Sequence, residues 1–242
     1  MIYIDAREGL SGDMVLGAMI RLLEPERAGS VVGAISRASR RLGIEFSTVE
    51  VEEEGVSGLG ISYTAGTQRT STVGWEEAHR SLKEIEQSLG SISKMGMRIL
   101  DMIFEAEGKA HRLSPQEVHL HEIGRPQALV NIAGIGLVHD DLRSAGSGDF
   151  MCSTITTGRG IVVVSHGVVR IPAPASEHLL SGLEHIPGDS PGERATPTGI
   201  AAAKALIVSQ TDRMPEKWSR RGTGFGTKRF GGRLGRTTMY WA

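Results

Sequence analysis

Cysteine, long apolar runs and any excess of charge are all scarce in this 242-residue sequence. Its single cysteine, Cys152, excludes an intrachain disulfide and fits a protein of the reducing cytoplasm. The longest apolar stretch runs from Ile132 to Val138, far too short to cross a bilayer. Lys and Arg number 27 against 28 Asp and Glu, for a formal net charge of −1, so nothing in the balance calls for nucleic acid or a membrane as partner. The first residues, Met1 to Asp5, read as a strand and lack the basic-then-apolar pattern of a secretory leader. Internal repeats and low-complexity regions are also missing. One local imbalance stands out: residues Arg213 to Arg236 hold eight Lys or Arg and a single acid, Glu216.

What is present is a chain long enough for one large domain or two small ones sharing a core. Ile2–Asp5 is expected as a strand, followed by a helix in which Ser11 or Asp13 can cap and Val15, Leu16, Met19, Ile20, Leu22 and Leu23 form one apolar face. A second helix is expected from about Ala28 to Leu42, ending at Gly43, and then two strands, Glu45–Glu52 and Val56–Ala65. Past a polar linker, 67–74, helical spacing predicts helices over Trp75–Leu89, around Ile92–Ala110, and over Gln127–Leu142. Strands return at Met151–Ile155 and Gly160–Val164. Short helices follow at Ala175–Leu180 and near Thr198, then a glycine-rich tail and a last strand near Thr237–Trp241. The class is α+β: a small N-terminal α/β unit over 1–66, then central helices and a mixed β-rich unit over 75–242.

Four constellations can carry chemistry. Ser11-Gly12-Asp13-Met14 lies where a strand enters a helix, and free amides with a positive dipole end there favour an anion. Asp13 can instead bind a cation or, with Ser11, cap the helix, and capping is the usual role of these residues. In Val118-His119-Leu120-His121-Glu122, an extended backbone would put His119 and His121 on one side. Neutral imidazoles suit nickel or zinc, and Glu122 can ligate or act as a base. Glu107 and His111, spaced i,i+4, share a helix face and can add ligands. Spacing alone leaves open the plainer alternative, a helix salt pair beside two hydrogen-bonded loop histidines.

Third, Ser165-His166-Gly167 precedes the stiff Pro172-Ala173-Pro174, which leaves His166 a ligand, an acid/base or a structural residue. Fourth, Thr196 and Thr198 stand before an alanine-rich helix where, with Gly199, they can cap it or help hold a phosphate. The glycine-rich Gly222 to Arg229 adds flexible backbone and the cations Lys228 and Arg229. It lacks the Gly-Lys-Ser/Thr ending of a Walker A loop and the spacing of a dinucleotide-binding fingerprint.

Taken in order along the chain, these segments resemble the LarC family of nickel insertases. The matching pieces are Ser11-Gly12-Asp13-Met14, Glu105-Ala106-Glu107 through Lys109 to His111, and Glu117 to Glu122 with Gly124. His166-Gly167, Pro172-Ala173-Pro174-Ala175, Thr196-Pro197-Thr198-Gly199 and Gly222 to Phe230 complete the set. The resemblance implies a nickel chelatase of the lyase class. It would act on a pyridinium bis-thiocarboxylic acid mononucleotide to make the nickel-pincer cofactor, using CTP and a divalent cation such as manganese. It implies metal handling by His119, His121 and Glu122, joined by Glu107 and His111, and catalytic roles for Asp13, Glu122 and His166. Binding of the mononucleotide would fall to Ser11, Gly12, Thr196, Thr198, Gly199, Lys228 and Arg229. CTP and manganese would be handled by a separate C-terminal domain protein, and a homo-oligomer is expected.

The sequence departs from the family pattern in two places within these segments. The histidine-rich stretch that usually precedes the helix beginning near Trp75 is reduced to His79. Two positions that usually hold aspartate after the H-x-H-E segment carry Gln127 and Asn131, which removes two negative charges from a cation site. A non-catalytic relative that binds a phosphorylated ligand, or acts as an assembly partner, is therefore the second expectation. Metal-dependent hydrolysis by the H-x-H-E cluster is a third.

Overall fold

The computed structural model of the chain describes residues 1–65, 72–120, 125–164 and 167–242. Strand β1 (Ile2–Asp5) leads into helices α1 (Gly12–Ile20) and α2 (Pro25–Ser39), then into the hairpin β2 (Ile44–Glu53) and β3 (Val56–Ala65). The middle holds β4 (Val73–Gly74), α3 (Trp75–Leu89), α4 (Met95–His111), β5 (His119–Leu120) and α5 (Pro126–Ser144). Short strands follow: β6 (Phe150–Cys152), β7 (Ile155–Thr156), β8 (Gly158–Arg159), β9 (Ile161–Val164) and β10 (Gly167–Arg170). The last part contains α6 (Pro174–Leu180), β11 (His185–Ile186), β12 (Gly192–Glu193), α7 (Pro197–Leu206), β13 (Ile207–Gln210), β14 (Arg220–Phe230) and β15 (Arg233–Trp241).

Seven strands form one mixed sheet in the order β13-β6-β1-β15-β14-β3-β2, and the fold is α+β, as expected. β13, β6 and β1 run parallel, β15 is antiparallel to both its neighbours, and β14 lies parallel to β3. The sheet thus draws strands from both sides of the expected linker. β1 is an interior strand of the sheet: Ile2, Tyr3 and Ile4 are fully buried, which explains a strand apolar at successive positions rather than alternating. α1 packs across β14, β3 and β15, and α2 against β2. The apolar run Ile132–Val138 lies inside α5, buried throughout, because that helix is surrounded by α1, α2, α3, α4 and α7. Among the described residues, no helix is long and apolar enough to cross a membrane.

One sequence expectation is corrected here. The glycine-rich stretch 222–229 is not flexible backbone but the middle of β14. Its glycines serve close packing: a Cβ on Gly224 would collide with the Met14 carbonyl, and one on Gly222 with the Ala18 carbonyl. Across the same contact, a Cβ on Gly17 would lie 3.2 Å from the Gly224 Cα. Helix and strand backbones therefore touch with no side chains between them, and this seats the start of α1 against the sheet.

Candidate functional site

β1 ends at Asp5, and a short loop carries the chain to the start of α1. That start is tied to the start of α7 by a parallel bridge between Leu10 and Ala195 and by the Thr196 N–H, which donates to the Leu10 carbonyl at 2.9 Å. The approach leaves no room for side chains. A Cβ on Gly199 would collide with the Leu10 carbonyl, and one on Gly12 would come within 2.8 Å of Thr198 Cγ2. α5 closes a third side, where Asn131 Cβ lies 3.4 Å and its Nδ2 3.5 Å from that same Gly12 position. Ser11, Thr198 and Asn131 are each 8% exposed, so the junction is largely shielded from water.

The two helix starts differ. Thr196 caps α7, its Oγ1 accepting from the Gly199 N–H at 3.3 Å. Ser11 does not cap α1 with its side chain; its hydroxyl donates to Asp13 Oδ1 instead. Asp13 therefore sits in the first turn, where the helix dipole favours its charge. The floor of the junction is Tyr63 on β3, whose hydroxyl donates to Asn131 Oδ1 at 2.7 Å and lies 3.4 Å from the Gln127 carbonyl. Burial, and then the nearby Asp13 carboxylate, push the Tyr63 hydroxyl well above its ordinary range, so it stays a proton donor. Among the described residues, Gln127 Oε1 is buried with no hydrogen-bond partner.

Ser11, Gly12, Asp13, Thr196, Thr198 and Gly199 are thus brought together from opposite parts of the chain. Tyr63 was missed by sequence reasoning. The available signal was its inward-facing place beside Ile61 in an alternating strand, where a buried phenol needs a partner.

The expected metal ligands are only partly in view. Glu107 and His111 pair within α4, Nε2 to Oε2 at 3.5 Å. His119 opens β5, opposite Gly74 of β4; it is exposed while Leu120 is buried, as a strand requires. His121 and Glu122 lie outside the described residues, as does His166. Carboxylate and imidazole donors suit a borderline divalent ion, yet among the described residues no three His, Cys, Asp or Glu gather to hold one. His79 uses both ring nitrogens, against the Trp75 carbonyl and Asp101 Oδ1, each at 2.7 Å, and stacks on Trp75. That is a structural role. In the basic tail, Arg229 forks onto Glu53 at 2.7 and 3.2 Å and donates to the Gly232 carbonyl, while Lys228 is exposed.

A sequence model of the family described as "Nickel insertion protein" matches residues 2–236. The chain belongs to that family. Among curated members, it is 29% identical over 240 residues to the pyridinium-3,5-bisthiocarboxylic acid mononucleotide nickel insertion protein of Staphylococcus saprophyticus, covering 95% of this chain and 56% of the relative. The protein of the same name from a Thermotoga species is 30% identical over 222 residues, covering 86% and 53%. A putative nickel insertion protein of Geotalea uraniireducens is 32% identical over 216 residues, covering 86% and 52%. The chain spans about half the length of the curated relatives it matches. No solved structure gives a significant match.

Proposed function

We propose that the chain is the metal- and substrate-handling part of a nickel insertase. Its substrates are nickel and a pyridinium bis-thiocarboxylic acid mononucleotide, and the reaction is chelation of the lyase class, yielding the nickel-pincer cofactor. One observation supports this most: residues matching the family at its beginning and near its end meet at the α1–α7 junction, around the Asp13 carboxylate. Insertion forms a nickel–carbon bond and releases the proton of that carbon. Asp13, Glu122 and His166 are the groups proposed to take it. His119, His121 and Glu122, with Glu107 and His111, are proposed to hold nickel before transfer. The α1 start and Thr198 are proposed to bind the mononucleotide, with Lys228 and Arg229 adding charge. CTP and manganese are assigned to a separate C-terminal part, and the cytoplasm is the proposed compartment.

The test uses the purified chain with precursor, nickel, manganese and CTP, with and without a CTP-binding partner, and mass spectrometry of the product. Nickel incorporation in the presence of partner is expected. Asp13→Asn should cut it roughly tenfold or more, the scale of losing one hydrogen bond to a charged group. No incorporation with partner present would overturn the proposal. It would favour the second reading, a non-catalytic relative binding a phosphorylated ligand, which the amides at Gln127 and Asn131 support.

A further inference from the structure

The loop from Ala6 to Leu10, which joins β1 to Ser11, is held from several sides. The Ala6 N–H donates to Ser153 Oγ at 2.9 Å, and the Ala6 carbonyl accepts from the Thr156 N–H at 3.3 Å. Leu10 is bonded to the Arg194 carbonyl and the Thr196 N–H, each at 2.9 Å. Between these ties, β15 grips two consecutive residues. The Arg236 N–H donates to the Glu8 carbonyl at 3.2 Å while its guanidinium pairs with the Glu8 carboxylate. Thr237 Oγ1 donates to the Gly9 carbonyl at 2.8 Å.

Gly9 is the residue of this loop that most needs a clamp. Its φ of +145° is one that side chains rarely adopt, and a Cβ there would come within 3.1 Å of Met14 Sδ and 3.3 Å of the Arg236 nitrogen. The position therefore requires glycine, and glycine is free to swing. Met14, the neighbour of Asp13, rests its thioether on Gly9, so a shift of Gly9 is felt directly in the first turn of α1. Thr237 is fully buried, and valine has the same shape, so the hydroxyl's distinct contribution is its bond to Gly9.

We infer that Thr237 is a positioning residue for Asp13: its hydroxyl fixes the Gly9 carbonyl, and through it the first helical turn that aims the carboxylate. The claim rests on the proposed function, in which Asp13 takes a proton, and adds what holds Asp13 in place. A proton acceptor works only within hydrogen-bond reach, and a misplacement of about 1 Å can cost on the order of a hundredfold in rate. Arg236, at the end of the basic tail, serves the outer side of the same clamp through Glu8.

Nickel incorporation by the full chain with its CTP-binding partner tests this, at a temperature well below every variant's melting point. Thr237→Val keeps the shape and loses the bond; it should slow incorporation roughly tenfold and leave the KM for the precursor little changed. Thr237→Ser restores the hydroxyl and should restore the rate. On an Asp13→Asn background, Thr237→Val should cost little more, because the group it positions is gone. Equal losses on both backgrounds would make Thr237 merely structural, and a full rate in Thr237→Val would overturn the inference outright. Glu8→Ala loosens the clamp from its exposed side and should slow incorporation in the same direction. If Thr237→Val does not fold, an unchanged rate in Glu8→Ala overturns the inference instead. Hydrogen exchange of the chain alone reads the clamp without any activity. Amides of residues 6–14 should exchange faster in Thr237→Val than in the wild type or Thr237→Ser, with those of α5 unchanged; no difference would again overturn it. A wild type that inserts no nickel would sink the proposed function and with it the role of Asp13, while the exchange still decides whether Thr237 holds the loop.

Discussion

Glu86 shows how a single buried side chain can tie stability to pH. It lies on α3, 8% exposed, with Oε1 pressed against Gly96 at the start of α4 and unpartnered among the described residues. Burial, and then the neighbouring Asp140 carboxylate, raise its pKa from 4.5 to about 7. Asp140 keeps its own charge: burial opposes it, but the Ser91 hydroxyl and the Ile92 and Ser93 N–H groups donate to it and hold it below its ordinary value. Between pH 4.5 and 7, then, the folded chain holds a proton on Glu86 that the unfolded chain has lost. Stability is greatest below that window, falls as pH rises through it, and stays reduced above it. The total is about 3 kcal/mol, from the size of the shift. Glu86→Gln should therefore stabilise the protein by about 2–3 kcal/mol at pH 8.5 and by little near pH 4.5. Urea denaturation at both values measures it, and an equal effect at both would show that Glu86 is ionised throughout. Neither Glu86 nor Tyr63 stands out in the sequence. Each is one polar residue on an amphipathic element, and only packing from distant segments makes it unusual. The Ser11–Asp13 and Thr196–Gly199 segments were legible because helix starts carry a local signature; that they meet was not.

Elements with a strong period were the legible ones: Trp75–Leu89 is bounded in the structure as its spacing predicts, and Val56–Ala65 likewise. β14 was illegible because its sequence answers to a neighbour and not to a strand. Gly222 and Gly224 look like loop residues, yet they are there so that α1 can lie directly on the backbone. This makes glycine substitutions diagnostic. Gly224→Ala puts a methyl group into the Met14 carbonyl and should destabilise by about 1–3 kcal/mol, the range for an overfilled core. It should also disturb the α1 start and weaken ligand binding there. Gly29, at an exposed position of α2, has nothing within 4 Å of an added Cβ. Gly29→Ala should stabilise by about 0.5–1 kcal/mol through helix propensity alone. Shifts of the urea midpoint in opposite directions would confirm the contact, and a neutral Gly224→Ala would refute it.

At the scale of the whole molecule, the sheet binds the two ends of the chain together. β1 pairs with β6 on one side and β15 on the other, and β3 pairs with β14, so no cut near residue 70 leaves either part with a complete sheet. The Met1 amino group reaches the Ala242 carbonyl at 2.9 Å. The buried core is likewise continuous, from Ile2 and Leu16 through Leu82 and Phe104 to Ile200 and Met239. Unfolding should then be a single cooperative event, since losing β6 or β15 strips β1 of its backbone pairing along one edge and opens the shared core. Tryptophan supplies the probes: Trp75 begins α3 in the helical layer, and Trp241 ends β15 in the sheet. Variants in which Trp218 is replaced and only one of these two tryptophans is kept should show coincident urea transitions, matching that of far-UV circular dichroism. An earlier transition at Trp75 would mean that the helices open independently of the sheet. The consequence for the site is direct, because the α1–α7 junction is built from segments almost two hundred residues apart. With one cooperative unit, ligand bound there should raise the midpoint for both tryptophans equally, by mass action on the single folded state. Under independent opening, only the probe in the liganded layer would shift.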